Sequence, residues 1–250
     1  MATPHLNKIS TRAPKGLNKE RTKAQTEKIV SELDDLQNLL YAESKHSVLL
    51  VFQGMDASGK DGLTRDVMSR LNPQGVMVHS FKVPTAEELS HDFLWRIHQH
   101  CPAKGMIQVF NRSHYEDILV TRVHKLCTDK QAKERMKAIN DFEEMLEKQN
   151  NTHILKFYLH ISPEEQQQRL QERLQDPQKE WKYNPNDLQD AKHWNAFMKM
   201  YEDCFTHCNK VPWHIIPADQ NWYRNHLVAV ALHKLLTSLK MKYPVVKEMG

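Results

Sequence analysis

The sequence predicts an α/β fold, a mostly parallel sheet with helices on both faces. Two observations carry that expectation. Short apolar runs alternate with longer segments of helical period from residue 47 to residue 240, the pattern of repeated strand–helix crossovers. The first apolar run then ends in Gly54, and Gly59–Lys60 follow after four intervening residues, in VLLVFQGMDASGKDG. Glycines so placed between a strand and a helix let backbone N–H groups turn inward around an anion, while the helix dipole and a lysine add positive charge.

Taken in order, residues 1–18 are polar, carry Pro4, Pro14 and Gly16, and read as a flexible arm. The remainder, 19–250, reads as one domain. Residues 19–44 predict a helix, with Ile29, Leu33, Leu36 and Leu40 on one face. Residues 47–53 are the first core strand, and the loop helix runs from 59 to 71, stopping before Asn72–Pro73. A second strand covers 76–82. Thr85 and Glu88 have capping-box spacing and open a helix to residue 100. The third strand is 106–110, followed by a helix over 114–123 and another over 129–149. Residues 152–161 form a nearly continuous apolar run, as a buried parallel strand requires. Ser162, Pro163 and Glu165 start a helix that ends near Asp176–Pro177. A polar loop, a long helix over 187–208, a strand over 213–217 and a last helix over 221–240 complete the chain.

Composition narrows the function classes. The net charge of +4 in 250 residues is too mild for a nucleic-acid binder, and suits a local groove for polyanions. No segment is long and apolar enough to span a bilayer. The basic N-terminus lacks an apolar signal core, so the expectation is cytoplasmic. Four cysteines do not make a disulfide framework in a chain of this length. Cys204 and Cys208 are helix-spaced and read as a helix face rather than a metal site.

Three constellations carry chemistry. The first is the loop itself, with Gly54, Ser58, Gly59, Lys60, Asp61 and Gly62 as phosphate-binding candidates. The usual Ser or Thr after the lysine is replaced by Asp61. Asp56 stands inside the anion cradle, where it would repel phosphate unless a cation lay between, so it is the leading magnesium ligand. The second is FNRSHYED, residues 110–117, at the C-terminal end of a core strand, where ligands bind in open α/β sheets. Asn111 stands where many phosphate-loop enzymes place a metal-binding aspartate. Arg112 offers a planar fork suited to phosphate oxygens. Glu116 has two readings: a substitute metal ligand, or the closing residue of a capping box with Ser113. The third is the segment 162–186. Arg169 and Arg173 are one turn apart, and Lys179, Trp181 and Lys182 follow, as in a lid carrying Arg173 to the transferring phosphoryl group. Lys82, at a strand end, is a further phosphate contact.

At these residues the chain resembles the polyphosphate kinase type 2 family of the thymidylate-kinase-like phosphate-loop group. Residues 54–62 fit every fixed position of the family loop G-x-D-x-x-G-K-x-G, and FKVPT…ELSHDFLWR, FNRSHYED and DPQKEWKY are similar to family segments from about residue 20 to 240. The resemblance implies a three-layer phosphate-loop kinase fold with a helical lid. It also implies transfer of a phosphoryl group between inorganic polyphosphate and purine nucleoside mono- and diphosphates. Magnesium is the implied cofactor, with manganese as a substitute, and a homodimer or homotetramer the implied assembly. It gives Asp56, Lys60, Arg112 and Arg173 the active-site roles. Many members carry Asp-Arg-Ser where this chain has Asn111-Arg112-Ser113, and often asparagine where Glu116 stands. The swap resembles the branch that phosphorylates both mono- and diphosphates. Two competitors remain: an ATP-dependent nucleoside monophosphate kinase, against which the missing Ser/Thr after Lys60 speaks, and a non-catalytic nucleotide- or polyphosphate-binding module.

Overall fold

The computed structural model describes residues 4–176 and 185–245, with side chains from 189 onward in the second stretch. Lys179, Trp181 and Lys182 lie outside the described residues. Five parallel strands form one sheet in the order β2-β3-β1-β4-β5. They are β1 (Ser47–Gln53), β2 (Val76–Ser80), β3 (Ile107–Asn111), β4 (Thr152–His160) and β5 (Trp213–Pro217). Every residue of β1 and β3 is buried, as expected of strands covered on both faces, with Val48–Phe52 apolar throughout and Gln108 the polar interruption of β3. At the edge, β2 leaves Met77 and Val78 exposed.

Two groups of helices pack among themselves on the sheet. One joins α1 (Lys19–Glu43), α2 (Lys60–Met68) and α10 (Asn221–Ser238); the other joins α5 (Glu116–Val123), α6 (Asp129–Asn150) and α9 (Trp194–His207). The chain leaves β1 into α2 and leaves the adjacent β3 into α5, so successive helices depart to different groups between neighbouring strands. The crevice at that switch point, outside the carboxyl ends of β1 and β3, is where an open parallel sheet binds ligands.

Several boundaries differ from the sequence reading, each for a local reason. The single helix expected over 85–100 is two short pieces, α3 (Ala86–Ser90) and α4 (Trp95–His98). Thr85 and Glu88 do form the capping box, but the Asp92 carboxylate accepts from Leu94 N at 3.0 Å and its carbonyl accepts from Trp95 N. That turn competes with a continuous helix. The long helix over 187–208 is likewise split at His193 into α8 (Pro185–Lys192) and α9. Within the segment read as a flexible arm, Leu6, Ile9 and Thr11 contact the domain. Leu6 is buried, its N–H donates to Glu202, and its carbonyl and that of Ile9 meet His160 Nε2. Thr11 Oγ1 donates to Asp219 at 2.7 Å.

A charged network inside the core braces the second constellation. Lys156 on β4 and Glu143 on α6 are fully buried and paired at 2.7 Å. Lys156 Nζ also reaches Tyr115 Oη and the Cys208 carbonyl, and Glu143 Oε1 takes Tyr115 Oη at 2.7 Å and lies 3.2 Å from His114 Nε2. Burial alone would raise the Glu143 carboxyl; the Lys156 ammonium and His114 outweigh it and hold the group low. The network ties residues 114 and 115, immediately after Arg112, to the sheet interior.

Candidate active site

β1 delivers the loop. Gly54 has φ 152, and a side chain there would meet Ser58 Oγ at 2.8 Å and the Leu159 carbonyl at 2.9 Å. Gly59 has φ 93 and forms the N-cap of α2, a left-handed conformation that glycine adopts without strain. Lys60 is the first residue of α2, and its ammonium folds onto the loop: Nζ lies 2.9 Å from the Gly54 carbonyl, 3.2 Å from that of Met55 and 3.4 Å from Ser58 Oγ. All three are neutral acceptors. Burial, with the Arg112 guanidinium nearby, pulls the Lys60 pKa down to about 8.

β3 delivers Arg112. Its φ of 63 is left-handed, a conformation that costs a residue with Cβ about 1–3 kcal/mol and clusters at functional sites. The turn is fixed by Arg112 N donating to the Phe52 carbonyl at 3.1 Å. It aims the side chain across the crevice between two carboxylates: Arg112 Nη2 pairs with Asp56, and Nη1 lies 3.3 Å from Glu116 Oε2. This bears on the capping reading of Glu116. No capping box forms with Ser113. α5 starts at Glu116 with Tyr115 as its N-cap, and Ser113 Oγ instead accepts from Gln53 Nε2 and Tyr115 N. The Glu116 carboxylate is turned into the crevice, and Asp56, Arg112 and Glu116 line one pocket with Gly54, Asp190 and Tyr201.

Other expected site residues are placed differently. Asn111, expected at the phosphates, donates from Nδ2 to Asp61 Oδ1 at 2.7 Å, so Asn111 and Asp61 engage each other beside the loop. Arg169, on α7 (Pro163–Gln175), was expected beside Arg173 as a phosphate contact. Its guanidinium is instead taken up by Glu165 at 2.8 Å and by the carbonyls of Ala57, Ala218 and Asp219. Arg169 thus clamps the loop from behind, and Gln166 does the same through the Asp56 carbonyl at 3.1 Å. Arg173 lies one turn further along α7, half-buried. Lys82 is exposed just past β2, whose last residue Ser80 is in register with Asn111. Gly62 lies beside Arg224 rather than in the crevice. Sequence reasoning passed over Gln166, Asp190, Tyr201 and Arg224, whose own positions carry no motif spacing.

The donor set fits a hard divalent cation. Asp56 and Glu116 are oxygen donors facing the same pocket, the number of carboxylates that magnesium takes when substrate phosphates and water complete its shell.

The low Lys60 pKa gives a testable sign. Below pH 8 the ammonium is charged and ready for an anion; above it the free protein loses that charge. A bound polyanion raises the group again, so binding above pH 8 must take up a proton. Affinity for a polyanion in the loop should fall about tenfold per pH unit above pH 8. Calorimetry in buffers of different ionisation enthalpy should read close to one proton taken up near pH 9, and none in Lys60→Ala.

A parallel sheet whose first strand feeds a lysine-bearing phosphate loop, faced at the switch point by an arginine between two carboxylates, defines a phosphate-loop kinase. Residues 16–247 match the family model of Polyphosphate kinase 2 (PPK2). The chain is 51% identical over 214 residues to the AMP/ADP-polyphosphate phosphotransferase of Meiothermus ruber, covering 85% of this chain and 80% of the relative. It is 43% identical over 229 residues to the ADP-polyphosphate phosphotransferase of Rhodopseudomonas palustris, covering 86% and 79%. The crystal structure of polyphosphate kinase 2 from Arthrobacter aurescens TC1 superposes with a TM-score of 0.92 at 39% identity, covering 97% of this chain and 88% of that one. The chain belongs to the polyphosphate kinase 2 family. Among the described residues, no helix is long and apolar enough to cross a membrane.

Proposed function

We propose that the chain transfers a phosphoryl group reversibly between inorganic polyphosphate and purine nucleoside diphosphates and monophosphates. The observation that carries this is the single crevice that puts Arg112, Asp56 and Glu116 against the phosphate loop. The names of relatives support the reading: one acts on AMP and ADP with polyphosphate, another on ADP. Glu116, freed from any capping duty, supports the branch that accepts monophosphates.

In this reading the end of the polyphosphate chain lies in the loop Gly54–Gly62, held by backbone N–H groups and Lys60. Asp56 and Glu116 would hold magnesium, or manganese in its place, which would supply charge neutralisation for the phosphates. Arg112 stabilises charge on the transferring group, and Arg173 approaches from α7. Lys82, exposed just past the edge strand, is a further phosphate contact in this reading; Lys179 and Lys182, outside the described residues, are candidates on sequence alone. The acceptor is an ionised phosphate oxygen, so no residue need act as general base; positioning and electrostatics do the work. The segment 162–186 serves as the lid of a single kinase domain over 19–250, working in the cytoplasm as a homodimer or homotetramer.

The test is to mix protein, magnesium, ADP or AMP and long-chain polyphosphate without ATP. ATP formed from ADP, and ADP from AMP, is the expected result. Turnover only with ATP and a monophosphate would instead make it an ATP-dependent nucleoside monophosphate kinase, and tight binding without turnover a binding module.

A further inference from the structure

Arg224, on α10, is the largest of the fully buried side chains, at 1% exposure. A buried guanidinium is ordinarily matched by a carboxylate, because the desolvation of an unpaired charge is costly. Here its hydrogen-bond partners are two neutral amides. Nη1 donates to Asn221 Oδ1 at 2.9 Å, and Nε and Nη2 donate to Asn225 Oδ1 at 3.1 and 2.8 Å. The neighbouring carboxylate, Asp66, is engaged by the Asn225 amide at 2.8 Å and by Arg65. The Asn225 side chain therefore stands between cation and anion.

The position of this charge gives it meaning. A Cβ placed on Gly59 would lie 2.1 Å from Arg224 Nη1, and one on Gly62 3.7 Å from Nη2. The guanidinium is flush against the backbone at the head of α2, behind the phosphate seat. Arg169 reaches the same glycine, but its charge is matched by Glu165. Burial, then repulsion from Arg169, pulls the Arg224 pKa down to about 10, and the attraction of Asp66 only partly offsets them.

We propose that Arg224 is a donor-specificity residue whose buried charge, held off from Asp66 by the Asn225 amide, is fully compensated when a polyphosphate anion occupies the loop Gly54–Gly62. It acts through the loop rather than by touching the reacting atoms. In the free protein the guanidinium has no carboxylate among its hydrogen-bond partners, and binding of a multiply charged linear anion supplies the missing charge. The effect falls on the phosphate donor and not on the nucleotide acceptor. This inference rests on the proposed seating of polyphosphate in that loop.

The test compares Arg224→Gln, Arg224→Lys and Asn221→Asp, with Lys60→Ala as the control for the loop. Thermal melting and tripolyphosphate titration are read on each, with steady-state kinetics on both substrates. Asn221 is exposed at the first turn of α10, where a carboxylate suits the helix dipole, so Asn221→Asp pairs the guanidinium without disturbing the core. Asn221→Asp is expected to melt no lower than the parent and yet bind tripolyphosphate about tenfold more weakly, since a compensated charge has less to gain from the ligand. Arg224→Gln should raise KM for polyphosphate about tenfold, leaving KM for the nucleotide and kcat within about threefold, and Arg224→Lys should recover most of that loss. A merely structural arginine predicts the reverse: lower melting in Arg224→Gln and unchanged affinity in Asn221→Asp. Tripolyphosphate affinity that needs Lys60 but is indifferent to both Arg224→Gln and Asn221→Asp would overturn the inference and spare the loop. Affinity indifferent to Lys60→Ala would overturn the loop seating and this inference with it.

Discussion

Lys60→Ala is expected to lower kcat/KM for polyphosphate about 10²-fold, or on the order of 3 kcal/mol of transition-state stabilisation, in a protein that still folds. The two halves of that expectation come from one environment. Lys60 is 8% exposed and its ammonium rests on two carbonyls and a hydroxyl, so the free protein gains little from its charge and loses little with it. Its pKa near 8 expresses the same balance. While the group is charged below pH 8 it penalises the native state. Stability contributed by this site rises between pH 8 and its unfolded value of 10.5. The variant should therefore melt at or above the parent temperature near neutral pH, while its activity falls. Parent-like turnover in a pure, folded sample would remove Lys60 from the mechanism.

Arg112→Ala is expected to do more, lowering kcat about 10³-fold, in the range seen when an arginine that stabilises a transferring phosphoryl group is removed. The geometry adds a second, opposite consequence. Arg112 now neutralises both Asp56 and Glu116. Without it, two carboxylates share the pocket with no intervening cation, and their repulsion favours a bound metal. Manganese titration should thus show tighter metal binding in Arg112→Ala than in the parent, alongside the lost turnover. Arg112→Lys keeps a charge but not the fork that spans two carboxylates, so it should restore only part of kcat. Weakened metal binding in Arg112→Ala would mean that the arginine organises the carboxylates rather than competing with a cation for them.

What the sequence made legible was contiguous. The loop glycines, Asp56 and Lys60 lie within one strand–turn–helix unit, and FNRSHYED lies at one strand end, so spacing alone exposes them. The sheet was legible for a similar reason, since β1 and β4 carry long apolar runs. What remained hidden was set by contacts across the chain. Arg224 reaches Gly59 from α10, and Gln166 and Arg169 reach the loop carbonyls from α7; no local pattern encodes those meetings. Arg169 shows the limit most clearly. Its spacing from Arg173 is real, but the loop carbonyls of Ala57, Ala218 and Asp219 claim its donors. Glu116 shows the other kind of limit. Its position after Ser113 satisfies a capping box on paper, and only the burial of Ser113 beside Gln53 shows that the serine is occupied elsewhere. The breaks at Asp92 and His193 were missed because a short turn inside a helical period costs little pattern.

The most direct measurement is a crystal structure grown with magnesium and polyphosphate. The terminal phosphate should sit within the turn Gly54–Gly62, with Lys60 Nζ drawn off the Gly54 and Met55 carbonyls onto its oxygens and the cation on Asp56. A polymer bound outside that turn, with Lys60 still resting on those carbonyls and Asp56 still on Arg112, would contradict it.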